Sequence, residues 1–448
     1  MKSIKILLTV LFIFCLSSLL MAQDLLQSGP MVGYSSMREV GLWVQTSSAA
    51  KVKFAYWNIN SPKKKYFTDE FSTTKTNWFT AKLIADQLEP GQKYNYQLYI
   101  NGKPVKRNYD LKFQTQKLWQ WRENPPDFSF ATGSCFYVNE TVYDRPGRPY
   151  GSDYQIMTSI YKKNPDFMIW LGDNFYLREV DWDSWTGILK RITHTRSLPE
   201  LQPVLGSMHH YAIWDDHDFG PNDSDRGYYL KEKTLDANKL FWGNPTFGFS
   251  GKESMTTYFQ WGDVDFFLLD GRYFRTPNNR KTGNRELLGD EQIRWLIDNL
   301  ISSRAPFKII AVGGQVLNPV DDKPFLETYD KYPEEKAKLM ALLEDEKIEG
   351  VVFLTGDRHH SELTKLPREN SYPLYDFTIS SLTAGVSPGK DEKNFLRVPG
   401  TLADQHNFAV FGFSGQSKNR LLKCTVYDSD GKELWNYSIN ENELKYKK

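Results

Sequence analysis

The chain has 448 residues, with 56 Lys+Arg against 55 Asp+Glu and a formal charge of +1. That is length for about two to four domains, without the basic excess of a general nucleic-acid binder. Hydrophobic content of 40% and charged content of 25% exclude wholesale disorder, and three cysteines are too few for a disulfide scaffold or a four-cysteine zinc site.

The first segment opens with Lys2 and Lys5, runs apolar from Ile6 to Leu20 and ends on the small residue Ala22. This order predicts a secretory signal over 1–22, cleaved near Ala22, and so a periplasmic or secreted protein. The run is short for a bilayer span of about 20 residues, and no later stretch is long and apolar enough to replace it. Cys15 follows Phe14, where a lipoprotein site needs a small residue. Cleavage leaves Cys135 and Cys424 in an oxidising compartment, where a disulfide between them is the ordinary reading.

Residues 23–118 read as an all-β domain. REVGLWVQT, AKVKFAYW, NWFTAKL and QKYNYQLYI are short alternating runs separated by turns such as Asn101-Gly102. This is the spacing of an immunoglobulin-like or fibronectin-like β-sandwich. It holds no His or Cys. Residues 119–127, with Pro125-Pro126, read as a linker.

From 128 to 448 the texture is α/β. Apolar runs end in polar or glycine-rich punctuation: DFSFATGSC, DFMIWLGDN, HYAIWDDHD, DVDFFLLDGR, FKIIAVGGQ and EGVVFLTGDRHH. They read as buried strands. Helices are expected in SDYQIMTSIYKKNP, in GDEQIRWLIDNLISS (Asp290 as N-cap; Ile293, Leu296, Ile297, Leu300 and Ile301 inward) and in PEEKAKLMALLEDEK (Leu339, Met340, Leu342 and Leu343 inward). LLKCTVYDS and KELWNYSI read as a terminal hairpin.

In open α/β sheets ligands bind at the carboxyl ends of strands. Here those ends carry Cys135, Asp173, Asn174, Asp215, Asp216, His217, Asp218, Asp270, Arg272, Gln315, Asp357, His359 and His360. Alone, each motif has an ordinary reading: a strand-to-turn junction, a solvated acidic loop, incidental histidines, a buried thiol. Together they form an acidic cluster that would repel itself unless cations bind, with Cys and His among the donors.

The set resembles the alkaline phosphatase D (PhoD-like) branch of the calcineurin-like metallophosphatases. The resemblance is carried by GSC (133–135), GDNFY (172–176), WDDHD (214–218), LDGRYFR (269–275), LLGDEQIRWL (287–296) and TGDRHH (355–360). It implies two mixed sheets flanked by helices, preceded by the β-sandwich. It also implies a binuclear metal site. Cys135 and Tyr176 would ligate one metal, ferric iron, and Asp173 would bridge. Asp216 would ligate a second metal, calcium, and Asp357 and His359 would complete the set. Zinc, manganese and magnesium remain open on ligand type alone. GPMVGYSS stands where the family commonly has a Gly-Asp-Pro signature, which leaves substrate preference open.

Two cations would neutralise an anionic ester and lower the pKa of a bound water, so that metal-bound hydroxide attacks phosphorus. His217, oriented by a carboxylate such as Asp218, would stabilise or protonate the leaving oxygen. Arg272 either holds a phosphate oxygen, with Arg145 or Arg148 as further choices, or forms a structural salt bridge with Asp270. Gln315 is read as facing the site. His209, His210 and His360 are read as packing or supporting residues. The expected activity is hydrolysis of phosphate mono- or diesters. A diesterase acting on polymers or lipids, and an inactive binding protein, are the competing readings. No specific nucleic-acid partner is expected.

Overall fold

A computed structural model describes residues 23–319 and 327–446; the expected signal at 1–22 lies outside them. The described chain divides into two compact units.

The first unit comprises the described residues up to Leu118, with Arg196–His209 and Leu240–Gly243. Leu26–Ser35, Val40–Thr46 and Thr80–Ala85 pair antiparallel. Ala50–Asn58 and Lys93–Ile100 centre a second sheet. Val32, Leu42, Val44, Val52, Phe54, Tyr56, Leu83 and Leu98 form one apolar core, as alternating strands of a sandwich require. Arg196–His209 and Leu240–Gly243, read from the sequence as part of 128–448, pack with the strands of this unit. The Tyr96 hydroxyl donates to Gly206 O (2.8 Å), Trp43 Nε1 donates to Leu240 O (2.8 Å), and His209 Nδ1 meets Gly33 O (2.8 Å).

The second unit holds two mixed sheets. In spatial order the first contains Glu433–Asn440, Leu421–Asp428, Asn407–Ser414, Phe128–Gly133, Phe167–Leu171 and His209–Ile213. The second contains Thr257–Trp261, Val264–Leu268, Phe307–Val312, Val351–Thr355, Leu374–Thr378 and Glu362–Leu366. Aromatic rings fill the space between them. Phe130 stacks on Phe411 (5.0 Å) and meets Phe266 edge-on (5.5 Å), while Tyr211 lies flat on Phe259 (3.6 Å). Each such buried ring contributes roughly 1.5–3 kcal/mol, and together they fix the register on which the strand ends depend.

Helices Gln155–Lys163, Asp290–Ser302 and Pro333–Asp345 occupy the expected segments. Details differ. Gly289, at φ 81°, is the N-cap rather than Asp290. The Glu335 carboxylate takes the Leu287, Leu288 and Gly289 amides (2.7, 3.0 and 2.7 Å), so the helix start is satisfied from outside. Ile301 is exposed, and Met340 and Leu342 are only half-buried, because the inward stripe of each helix is narrower than its apolar content. Among the described residues no helix is long and apolar enough to cross a membrane.

Candidate metal centre

Strands Phe128–Gly133, Phe167–Leu171, His209–Ile213 and Val351–Thr355 deliver their carboxyl ends to one place. Backbone bonds tie the loops together. Cys135 N–H donates to Gly172 O (3.3 Å), Phe136 N–H to Asp173 O (2.8 Å), Gly356 N–H to Gly313 O (2.7 Å) and Asp357 N–H to Ser134 Oγ (3.2 Å). Gly172 and Gly313 are needed here: a Cβ on either would lie 2.6 or 2.5 Å from Asp215. Cys135, Asp173, Asp357 and His359 all adopt left-handed backbone, with φ of 60°, 53°, 65° and 57°. Such conformations cost of order 1–3 kcal/mol each and collect at functional sites.

The donor atoms converge. Cys135, Asp173 and His359 each bring one atom within 4.8 Å of the others; so do Asp173, Asp216 and His217, and so do Asp215, Asp216 and Asp357. Asp173 therefore belongs to two adjoining groups, and Asp216 links the second of these to the third. Cys135 and Cys424 are both free thiols, so the disulfide reading is corrected: Cys135 Sγ lies 3.6 Å from Asp173 Oδ2 and accepts from Ser380 Oγ (3.2 Å). His359 turns Nδ1 to the Gly385 carbonyl, which leaves Nε2 as the ligand atom. The Tyr176 hydroxyl is buried beside the Cys135 thiol and Asp173.

Electrostatics favour cations. Burial, then Asp216 and Cys135, push the Asp173 carboxyl far above its ordinary value. Burial and Asp357 push the Cys135 thiol up to about 12. Burial also raises Asp215 and Asp357, despite Arg272 beside the first and Arg358 beside the second. At Asp216 burial acts upward too, but His217 and Arg272 outweigh it and hold the carboxyl well below normal. Carboxylates this crowded and buried cannot all ionise without positive charge among them. The residues present thus fit a metal centre.

Three expected roles change. The Asp218 carboxylate accepts the Asp173, Asn174 and Asp215 amides (3.2, 3.1 and 2.5 Å) and Asn174 Nδ2 (2.7 Å). It braces the loops and does not orient His217. His217 is held by its own N–H on Asp173 Oδ1 (3.2 Å), by its ring on Tyr176 (4.2 Å) and by Asp216, 3.8 Å from Nε2. Burial lowers its pKa to about 4, Asp216 opposing and Arg178 assisting.

Arg272 is fully buried and does not ion-pair with Asp270, whose carboxylate instead takes Trp214 Nε1 and the Arg272, Tyr273 and Met255 amides. Its guanidinium binds Asp215 (2.5 Å) and Glu327 (2.6 Å) and lies 3.6 Å from Asp216. It is an anchor for carboxylates and is not open to substrate.

Gln315 is also buried, donating to Glu362 (2.8 Å) and Thr378 (2.9 Å). His210 accepts from Trp170 (3.0 Å), and His360 sits 3.7 Å from Glu362 and 3.9 Å from Glu392.

Sequence reasoning missed Glu327 and Asp223, which with Asp216 form a further acidic group. Neither stands at the end of a strand-length apolar run, so the strand-end signal passes over them.

A family model described as PhoD-like phosphatase matches residues 130–421, and a domain of unknown function (DUF7800) matches 23–118. Alkaline phosphatase D of Bacillus subtilis is 24% identical over 364 residues, 69% of this chain and 59% of that protein. The chain thus spans somewhat over half the length of that curated relative. A solved structure of PhoD aligns at TM-score 0.75 and 18% identity over 92% of each chain. A purple acid phosphatase from yellow lupin seeds aligns at 0.62 and 12% identity over 92% of this chain and 74% of that one. These structural likenesses show the fold.

Proposed function

Because the chain belongs to the PhoD-like phosphatase family, whose model covers its α/β unit, we propose that it hydrolyses phosphate mono- or diesters at a binuclear metal centre. The observation that carries the reading is the sharing of Asp173 between two adjoining donor groups. Cys135, Tyr176, Asp173 and His359 would hold one cation, ferric iron; Asp173, Asp216 and Asp357 would hold the other, with calcium suited to carboxylate oxygens. The bound cations supply Lewis-acid charge and the acidity that yields an attacking nucleophile near neutral pH.

The chain's own groups do the rest. Arg272 and Asp218 fix the carboxylates and loops. His217, which adjoins the Asp173–Asp216 donors, lines the neighbouring cavity and has Nδ1 unpartnered, is the group to stabilise or protonate an ester's leaving oxygen. The convergence of every expected ligand argues against an inactive binding protein. The segment 1–22 supports a periplasmic or secreted location.

The test is turnover of p-nitrophenyl phosphate and of its bis ester by the metal-loaded protein. Metal analysis should give about two ions per chain, and Asp173→Ala should lose metal and fall to background turnover. Wild-type turnover in Asp173→Ala, or full activity in metal-free protein, would refute the proposal.

A further inference from the structure

Of the guanidiniums that the sequence offered for a phosphate oxygen, Arg272 is held by Asp215 and Glu327, and Arg145 by Glu179 (2.8 Å). Arg178 is placed differently. It stands two residues after Tyr176 and is only 6% exposed. Among the described residues its guanidinium has no carboxylate partner. What holds it is aromatic: its Cζ lies 4.7 Å from the Tyr137 ring, 5.5 Å from Tyr176 and 5.6 Å from Tyr150, and Nε donates to the Tyr137 hydroxyl (3.1 Å).

The nearby acids are engaged elsewhere. Asp181 accepts from Arg191 Nε (2.8 Å) and the Arg178 N–H (2.9 Å), and Asp144 from the Tyr137 hydroxyl (2.5 Å) and the Glu140 N–H (2.6 Å). A buried cation without a counter-ion is unfavourable until an anion reaches it.

Arg178 lines a cavity of about 510 Å³, and His217 lines the same cavity. His217 lies on Tyr176 and reaches the Asp173–Asp216 donor group, so the cavity opens onto the edge of the metal centre. Its wall also carries Arg148, Arg145, which is paired with Glu179, and Asp144, whose carboxylate is engaged by Tyr137 and the Glu140 N–H.

We infer that Arg178 is the residue that receives a non-bridging oxygen of the phosphate ester, in the cavity beside His217. The inference rests on the phosphoesterase reading above. The aromatic cage keeps the guanidinium plane fixed without neutralising it, so its free N–H groups remain for the ligand. A charge-assisted hydrogen bond of this kind changes affinity by about ten- to hundred-fold.

The test is calorimetric titration of the metal-loaded protein with inorganic phosphate. Arg178→Met is expected to weaken binding about ten- to hundred-fold, with metal content and Tm near wild type. Arg178→Lys should recover part of the loss, since it restores charge without the planar fork. Equal affinity in wild type and Arg178→Met at equal metal content overturns the inference.

If Arg178→Met fails to fold or to load metal, the wild-type protein decides. A crystal structure of its phosphate complex should place an Arg178 nitrogen within about 3.2 Å of a phosphate oxygen, and phosphate bound without that contact overturns the inference. A wild-type protein that loads metal yet neither binds phosphate nor hydrolyses either ester removes the phosphoesterase reading itself, a failure distinguishable from the others.

Discussion

Arg272→Met separates an anchoring arginine from a substrate-binding one. Arg272 is fully buried and touches Asp215 at 2.5 Å and Glu327 at 2.6 Å, with Asp216 at 3.6 Å. Removing one partner of a buried ion pair costs about 3–5 kcal/mol, because the remaining charge is left uncompensated. Two carboxylates lose their contact here, so the upper half of that range applies. Unfolding entropy of roughly 2.1 cal/mol/K per residue, over a unit of some 320 residues, converts this to a fall in Tm of about 6–7 °C. Bound cations would take over part of the neutralisation of Asp215 and Asp216, so the deficit should be larger after chelation than before it.

The assay is thermal unfolding followed by circular dichroism, with and without chelator, alongside KM for p-nitrophenyl phosphate. A Tm within about 2 °C of wild type in the metal-free protein, together with a tenfold rise in KM, would refute the anchoring role and return Arg272 to the substrate.

Other outcomes follow from the same geometry. His217→Asn should lower kcat by about 10²–10⁴-fold, more for an alkyl than for a p-nitrophenyl leaving group; equal losses on the two would remove leaving-group assistance. Cys135→Ser should keep the fold and, if iron is bound, shift its visible absorption band, whereas an unchanged spectrum of iron-loaded protein would exclude thiolate ligation.

Glu362 is buried, which raises its pKa, but His360, Arg397 and Asn394 outweigh this and bring it to about 2 from 4.5. A depressed carboxyl stabilises the fold above its unfolded pKa and loses that contribution as pH falls toward the folded value. In chemical denaturation, the stability gap between wild type and Glu362→Gln should therefore narrow by about 2 kcal/mol between about pH 5.5 and pH 3. A gap that stays constant would mean that Glu362 is not held ionised.

The fold and the convergence of the candidate donors were legible because strand ends are written as a switch from apolar to polar residues, and Cys135, Asp173, Asp216, Asp357 and His359 stand at that switch. Partners across long sequence distances were not legible. Arg272 meets Glu327 from a separate loop, and Asp218, the third residue of the short helix Asp216–Phe219, caps that helix at Asp215 and reaches across to the distant Asp173–Asn174 loop. A glutamine after a strand looks the same whether it faces solvent or, like Gln315, a buried Glu362–Thr378 pair. Arg178 was hidden because its aromatic cage is assembled from two connections, Tyr137 and Tyr150 from the segment after Phe128–Gly133 and Tyr176 from the one after Phe167–Leu171.

The left-handed residues Cys135, Asp357 and His359 each bond their N–H to a neutral atom, Gly172 O, Ser134 Oγ and Ser380 Oγ in turn, whereas the Asp173 N–H bonds the Asp218 carboxylate. At the first three, shape and charge are thereby controlled by different atoms. An exchange of Asp for Asn at 357 retunes charge and ion preference, because asparagine tolerates this conformation. Valine, isoleucine or threonine at the same position would disturb the loop before any ion is considered. The ends of these strands can thus vary in chemistry along a narrow set of residue types, with the loop conformation held constant beneath them.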